Sequence, residues 1–376
     1  MNAQLTLKSP VSWIRQLNRY VRYGARPQIC DDLAIEAESR GWFVVDIHPP
    51  IYQELCEQLK DDTYCRRLLE VNRADYQRRQ SLVSIPQGVT RDRHGLIILP
   101  GGKICQQGTW SRKHLTNSLG YRARYRRTIR VHGDVYSLLG LWSFEYYHWL
   151  HDVLPKLWES LPYLPNNTRF LLHSNPRDYQ RASLDALGIH SDRLIYQPDS
   201  GDIVARRLWY TTPLGHTELT GGNYIYPMAI SIVERARANE PDSRFGSKLY
   251  ISRSHARFRR IGNEQEITPV LRKFGFKIVH FETMSFRDQV ASCAGARSLV
   301  GPHGAGLTNL MFCERGCKIG EIGFEGSYRH FKSMARHFGH DYYFMESAPV
   351  GLDEPTSLLH VDPQRLARWL RQFTEE

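Results

Sequence analysis

Two periods of apolar residues organise most of this chain. From about residue 135 onward, short runs rich in branched and aromatic side chains alternate with segments whose apolar positions recur at helical spacing. The pattern predicts an apolar helix through Trp149 to Trp158, a strand from Arg169 to His173 and a helix from Tyr179 to Leu187. Strands at Arg193 to Tyr196 and Arg207 to Thr211 follow, then Gly221-Gly222 and a helix ending near Asn239. The polar, proline-containing stretch from Glu240 to Ser247 reads as a connection between domains. A second series then begins: strands at Lys248 to Ser252, Lys277 to Phe281, Ser298 to Gly301, Lys318 to Ile322 and Tyr342 to Met345. Helices at Asn263 to Phe274, Ser285 to Ala294 and Tyr328 to Phe338 separate them. Strands linked by single helices at such short spacing predict a parallel sheet wound with helices. Asp362 before Pro363 predicts the cap of a last helix reaching Phe373.

The first 130 residues are less regular. Trp42 to Ile47 and Leu96 to Leu99 read as strands among Pro and Gly turns. Val11, Ile14, Leu17 and Val21 recur at helical spacing, with Arg15, Arg19 and Arg22 on other faces and Trp13 and Tyr20 as aromatic neighbours. Such a basic amphipathic helix either lies on an anionic leaflet or packs on the domain behind it. The expected division is a basic N-terminal segment at 1–29, an N-terminal α/β domain at 30–240, a C-terminal α/β domain at 241–360 and a terminal helix at 361–376.

Length and charge sharpen this picture. A chain of 376 residues is long enough for two domains, each with its own core, and so for a cleft between them. Fifty Lys and Arg against 39 Asp and Glu leave a formal charge of +11, which points to an anionic partner: nucleic acid, a nucleotide-linked substrate or an anionic membrane. Arg122, Arg124, Arg126, Arg127 and Arg130, interleaved with Tyr121 and Tyr125, form either a phosphate-binding strip or a solvated strand edge. Seven cysteines, an odd number without a regular framework, read as reduced thiols of a cytosolic protein. The start carries no apolar leader, and the longest stretch free of Asp, Glu, Lys and Arg, Ser298 to Cys313, is too short and too rich in Gly to span a bilayer.

Three stretches carry candidate chemistry. In Leu299-Val300-Gly301-Pro302-His303-Gly304-Ala305-Gly306-Leu307-Thr308-Asn309 a strand runs into a turn of small residues from which a helix opens. Backbone N–H groups there can approach an anion, and the helix start favours negative charge. Neither a Walker loop nor the dinucleotide fingerprint is matched. Upstream, Arg253 ends a strand and Arg257, Arg259 and Arg260 follow before Asn263 and Glu264 start a helix. Parallel strands deliver their C-terminal ends to one sheet edge, so Arg253 and His303 are expected in one crevice, with the arginines suited to phosphate. Glu321 at the end of its strand is expected on the same rim, accepting from ribose or sugar hydroxyls or pairing an arginine. The third stretch places His148 and Asp152 four residues apart on one helix face with His151 offset, a pair able to hold a hydroxyl and take its proton. A zinc site at the same three residues is the weaker reading, because no H-E-x-x-H helix is present. Cys313 and Cys317 lack a second pair and read as buried thiols, and His330, His337 and His340 as packing and surface choices.

Taken together, "YHWLHDVLPKL" (147–157), "LYISRSHARFRRIGNEQEI" (249–267) and "GPHGAGLTNLMFC" (301–313), followed by Glu321, resemble glycosyltransferase family 61 over roughly residues 135–345. The resemblance implies a GT-B architecture of two Rossmann-like domains facing across a cleft, and an inverting, metal-independent transfer with no cofactor. The donor is then a nucleotide sugar, a uridine diphosphate being the best guess. It further implies that Arg253, Arg259, Asn263, Glu264, His303, Gly304, Ala305, Gly306 and Asn309 form or support the donor site. His148 and Asp152 would face it, Asp152 acting as the base. Bacterial relatives accompany polysaccharide biosynthesis, which suggests a glycan or lipid-linked acceptor and a cytoplasmic enzyme peripheral on the inner membrane. A catalytically silent sugar or nucleotide-binding protein and a basic nucleic-acid-binding protein are the competing classes.

Overall fold

The computed structural model describes residues 28–61, 63–71, 73–105, 107, 127–140, 142–199, 201–213, 225–237, 245–324, 330–349 and 358–373. The amphipathic stretch at 11–23, the arginines at 122, 124 and 126, the Gly221-Gly222 pair and most of the 240–247 connection lie outside the described residues.

Strands before residue 212 form one large mixed sheet. They are β1 (Ile29–Cys30), β2 (Val44–His48), β3 (Gln80–Pro86), β4 (Val89–Arg91), β5 (Leu96–Ile98), β6 (Ile104–Cys105), β7 (Arg127–Ser137), β8 (Arg169–His173), β9 (Leu194–Gln197) and β10 (Gly201–Thr211). The order is β1-β6-β5-β4-β10-β7-β8-β9, with β3 also on β10 and β2 on β3. The part from β10 through β7 and β8 to β9 is parallel, as the helical spacing between its strands predicts. The rest departs from a Rossmann-like domain: β2 with β3, β3 and β4 with β10, and β4 with β5 pair antiparallel. Only tight turns separate β3, β4 and β5, with Gln87 and Asp92 at φ 50° and 57° and Gly95 at 65°, and such turns leave no length for a crossover helix.

Strands after residue 247 form the expected parallel sheet. It comprises β11 (Lys248–Ile251), β13 (Lys277–Val279), β14 (Ser298–Pro302), β15 (Lys318–Gly323) and β16 (Asp341–Glu346), in the order β13-β11-β14-β15-β16. A small third sheet joins β12 (Arg260–Ile261), β18 (Leu358–His360) and β17 (Ala348–Pro349). Helices Glu264–Lys273 and Pro363–Leu370 cover one face of the parallel sheet, burying Ile267, Leu271, Leu366 and Leu370 against Tyr250 and Val300. Asp362 caps the last helix as its sequence predicts, accepting from the Arg365 N–H.

The other face of that sheet shares its core with the first half of the chain. One continuous buried cluster holds Leu249, Ile251, Leu299 and Ile319 of the parallel sheet together with Trp149, Leu150, Leu157, Phe170 and Leu172. Phe286, Val290, Leu310, Met311 and Phe338 of the covering helices complete it, and Met228 and Ile232 come from helix Ile225–Arg237.

Candidate functional site

The C-terminal ends of β11, β14 and β15 set one wall. Gly301 and Glu321 are register partners, and His303 follows just beyond the end of β14. His303 and Glu321 form a buried imidazole–carboxyl contact through His303 Nδ1. Tyr342 of β16 donates its hydroxyl to the other Glu321 oxygen at 2.5 Å. Glu321 is fully buried, so both of its oxygens are engaged by side chains within the protein rather than turned toward a sugar.

Arg253 follows β11 and lies against the small-residue turn. Its Nη2 donates to the Phe258 carbonyl at 3.0 Å, while its Nε is buried without a hydrogen-bond partner among the described residues. A Cβ built on Gly304 would meet Arg253 Nη1 at 2.2 Å, so the turn needs a glycine there for the guanidinium to fit. Arg259 adopts φ 58°, a left-handed conformation uncommon for a side chain of its size, and its Nε donates to the His303 carbonyl at 3.1 Å. Burial, with Arg259 close by, pulls the Arg253 guanidinium down to about 10, and burial lowers Arg259 as well. Two neighbouring, partly desolvated cations favour an anion between them and the turn. Ala305 and Gly306 open the 3₁₀ helix Ala305–Phe312 that leaves this turn.

Three of the sequence-predicted donor residues hold the wall together. Asn263 precedes helix Glu264–Lys273, donates to the Val361 carbonyl at 2.8 Å and accepts from the Val361 N–H at 3.1 Å. Glu264 accepts from Tyr250 Oη at 3.0 Å and Ser252 Oγ at 2.8 Å. Asn309 is fully buried, donates to the Gly306 carbonyl at 3.0 Å and accepts from Tyr146 Oη at 2.8 Å.

Tyr146 belongs to the opposite wall. There the chain forms a helical turn, Tyr146–His148, then a π-helical turn, Trp149–Val153, before the α-helix Leu154–Ser160. The wider turn brings both neighbouring histidines to one carboxylate: His148 Nδ1 lies 2.7 Å from Asp152 Oδ2 and His151 Nδ1 lies 3.0 Å from Asp152 Oδ1. Burial pushes the Asp152 carboxyl up, but the two imidazole donors outweigh it and hold the group down at about 2. His151 is deeply buried, stacked 5.0 Å from the Tyr147 ring, whereas His148 keeps a quarter of its side chain exposed and stacks on Trp142 at 5.1 Å.

The two walls converge on Tyr147 and His330. Ring centroids of Tyr147 and His330 are 5.0 Å apart, and those of His330 and His303 are 5.2 Å apart. His148, Asp152, Arg253, Arg259 and His303 thus belong to one cluster with two imidazole–carboxyl pairs and two arginines. Burial, together with the nearby His303, lowers the His330 imidazole to about 3 and keeps it neutral. Sequence reasoning missed His330, Tyr147 and Tyr342 as site residues and placed His151 off the pair. Only the position of His330 at the start of an amphipathic helix, and of Tyr147 beside His148, hinted at them.

Among the described residues no group of three His, Cys, Asp or Glu is arranged to hold a metal, and no helix is long and apolar enough to cross a membrane. Cys30, Cys56, Cys105, Cys293, Cys313 and Cys317 are free thiols. Residues 146–320 match the family described as Glycosyltransferase 61. That span runs from Tyr146 on one wall to the strand that carries Glu321 on the other. No curated protein matches the chain.

Proposed function

We propose, on the match of residues 146–320 to the family described as Glycosyltransferase 61, that the chain transfers a sugar from a nucleotide sugar to a hydroxyl of a glycan or lipid-linked glycan. The observation that carries this reading is the convergence of the Arg253–Gly304 wall and the His148–Asp152 wall on Tyr147 and His330. In this reading Arg253, Arg259 and the backbone N–H groups of 304–306 receive the diphosphate, where negative charge develops as the glycosidic bond breaks. The acceptor hydroxyl attacks the anomeric carbon from the face opposite the leaving group, which inverts the centre. The His148–Asp152 pair takes the hydroxyl proton.

No step here needs a metal to neutralise the leaving group, because two partly buried guanidiniums stand in its place. We further propose uridine diphosphate as the donor nucleotide and surface polysaccharide as the destination. The site would then work at the cytoplasmic face of a membrane, with residues 11–23 as the anchor. The experiment is a thermal-shift and calorimetric screen against UDP, GDP, CMP and their sugars, with and without EDTA, followed by transfer assays on the donors that bind. One nucleotide that binds regardless of EDTA is expected. Binding that EDTA abolishes sinks the metal-independent site, and binding without transfer to any acceptor favours a silent binding protein.

A further inference from the structure

His148 and His151 present the same ring atom, Nδ1, to one carboxylate. An ionised carboxylate only accepts hydrogen bonds, so each Nδ1 carries a proton, and in a neutral ring that leaves the lone pair on Nε2. Both Asp152 oxygens are therefore already engaged. His148 Nε2 makes no hydrogen bond among the described residues, and its side chain is the more exposed of the two. Stacking on Trp142 and edge contact with Tyr147 at 5.2 Å fix the ring plane.

We propose that His148 Nε2, not the Asp152 carboxylate, takes the acceptor proton, with Asp152 and His151 as positioning residues behind it; this rests on the glycosyl-transfer reading above. In the step, an oxygen lone pair of the acceptor forms the new bond to the anomeric carbon. The bond from that carbon to the phosphate oxygen breaks, and its electron pair leaves on the phosphate. The hydroxyl proton passes to His148 Nε2, and the resulting imidazolium is stabilised by Asp152 before it releases the proton to water. A carboxylate held at about 2 is a poor proton acceptor near neutrality, which agrees with this division of labour. His151 donates to the second oxygen and locks the carboxylate plane that His148 reads. Other ionisable groups near the pair are Tyr147 beside it, Lys156 one turn on, His330, and His337 next to His151.

The test is the pH dependence of kcat/KM for the full chain, using a donor and acceptor from the screen. A base that acts through its neutral form loses it to protonation, so activity should fall with unit slope on the acid side. His148→Ala should lose roughly 10²- to 10⁴-fold and regain activity with added imidazole, in proportion to its unprotonated fraction. His151→Phe keeps the stack on Tyr147 but removes one donor from Asp152. The less neutralised carboxylate then holds the His148 proton more firmly, and the acid limb should move to higher pH, a shift that a purely structural role would not produce. A wild-type profile flat down to pH 4, or His148→Ala retaining near-normal transfer, overturns the assignment and returns the role to Asp152. Absence of transfer from every nucleotide sugar sinks the underlying reading as well, which separates the two failures.

Discussion

At the scale of single residues, the site depends on a missing side chain. Gly304 leaves the space that Arg253 occupies, and any Cβ there meets the guanidinium nitrogen at 2.2 Å. Gly304→Ala is therefore expected to push Arg253 out of the turn and weaken nucleotide binding by tenfold or more, with the overall fold kept; calorimetry and circular dichroism together check this. Unchanged affinity would mean that Arg253 does not face the phosphate. Much of this residue-level picture was legible beforehand, because Arg253, His303, His148 and Asp152 lie in short motifs whose spacing brings them to strand or helix ends. His151 was not, since α-helical spacing puts it on a neighbouring face and only the π turn brings its Nδ1 to Asp152. Tyr342 and His330 were not either, because they reach the site from strand and helix positions that carry no motif of their own.

At the scale of elements, the end of β8 supports the π-helical wall through a histidine that has to stay neutral. His173 is buried at the end of that strand, and its Nε2 lies 2.7 Å from Ser143 Oγ in the turn that leads into Tyr146–His148. Burial lowers its imidazole to about 4. Above the ordinary histidine value both folded and unfolded chains are neutral there, and stability is fully present. Between about pH 6.5 and 4 the unfolded chain takes up the proton first, so stability falls by up to ~1.4 kcal/mol per pH unit. His330, lowered to about 3, adds to the same acid loss. Denaturant titrations at pH 7 and pH 5 should therefore show a loss that shrinks by roughly 2 kcal/mol in His173→Gln; an identical loss in the variant would remove His173 as the cause. The strands and helices of the parallel sheet were legible to within about two residues, because each is a self-contained apolar run between turn signals. The antiparallel part of the first sheet was not, since its short strands are ordered by tight turns and by partners far along the chain, such as β3 on β10.

At the scale of the whole molecule, the two halves are joined where the site is. One core cluster runs from Trp149 and Phe170 to Leu249 and Phe338, and at its rim Tyr146 Oη donates to the fully buried Asn309 Oδ1 across the two walls. Burial raises the Tyr146 hydroxyl well above its ordinary value, so it remains a donor at every working pH. Tyr146→Phe strands the Asn309 oxygen and should cost about 1–3 kcal/mol. A cluster shared by the two halves, beside the clusters that each half keeps to itself, argues that the halves unfold together. Calorimetry should then give one heat-absorption peak. A nucleotide at 100 times its Kd stabilises the folded chain by about 2.7 kcal/mol, and that gain should move the whole peak upward, because binding to the Arg253 wall stabilises every element cooperative with it. Two peaks, of which the nucleotide moves only one, would show that the parallel sheet folds as a unit by itself and that the contact between Tyr146 and Asn309 opens before either half melts.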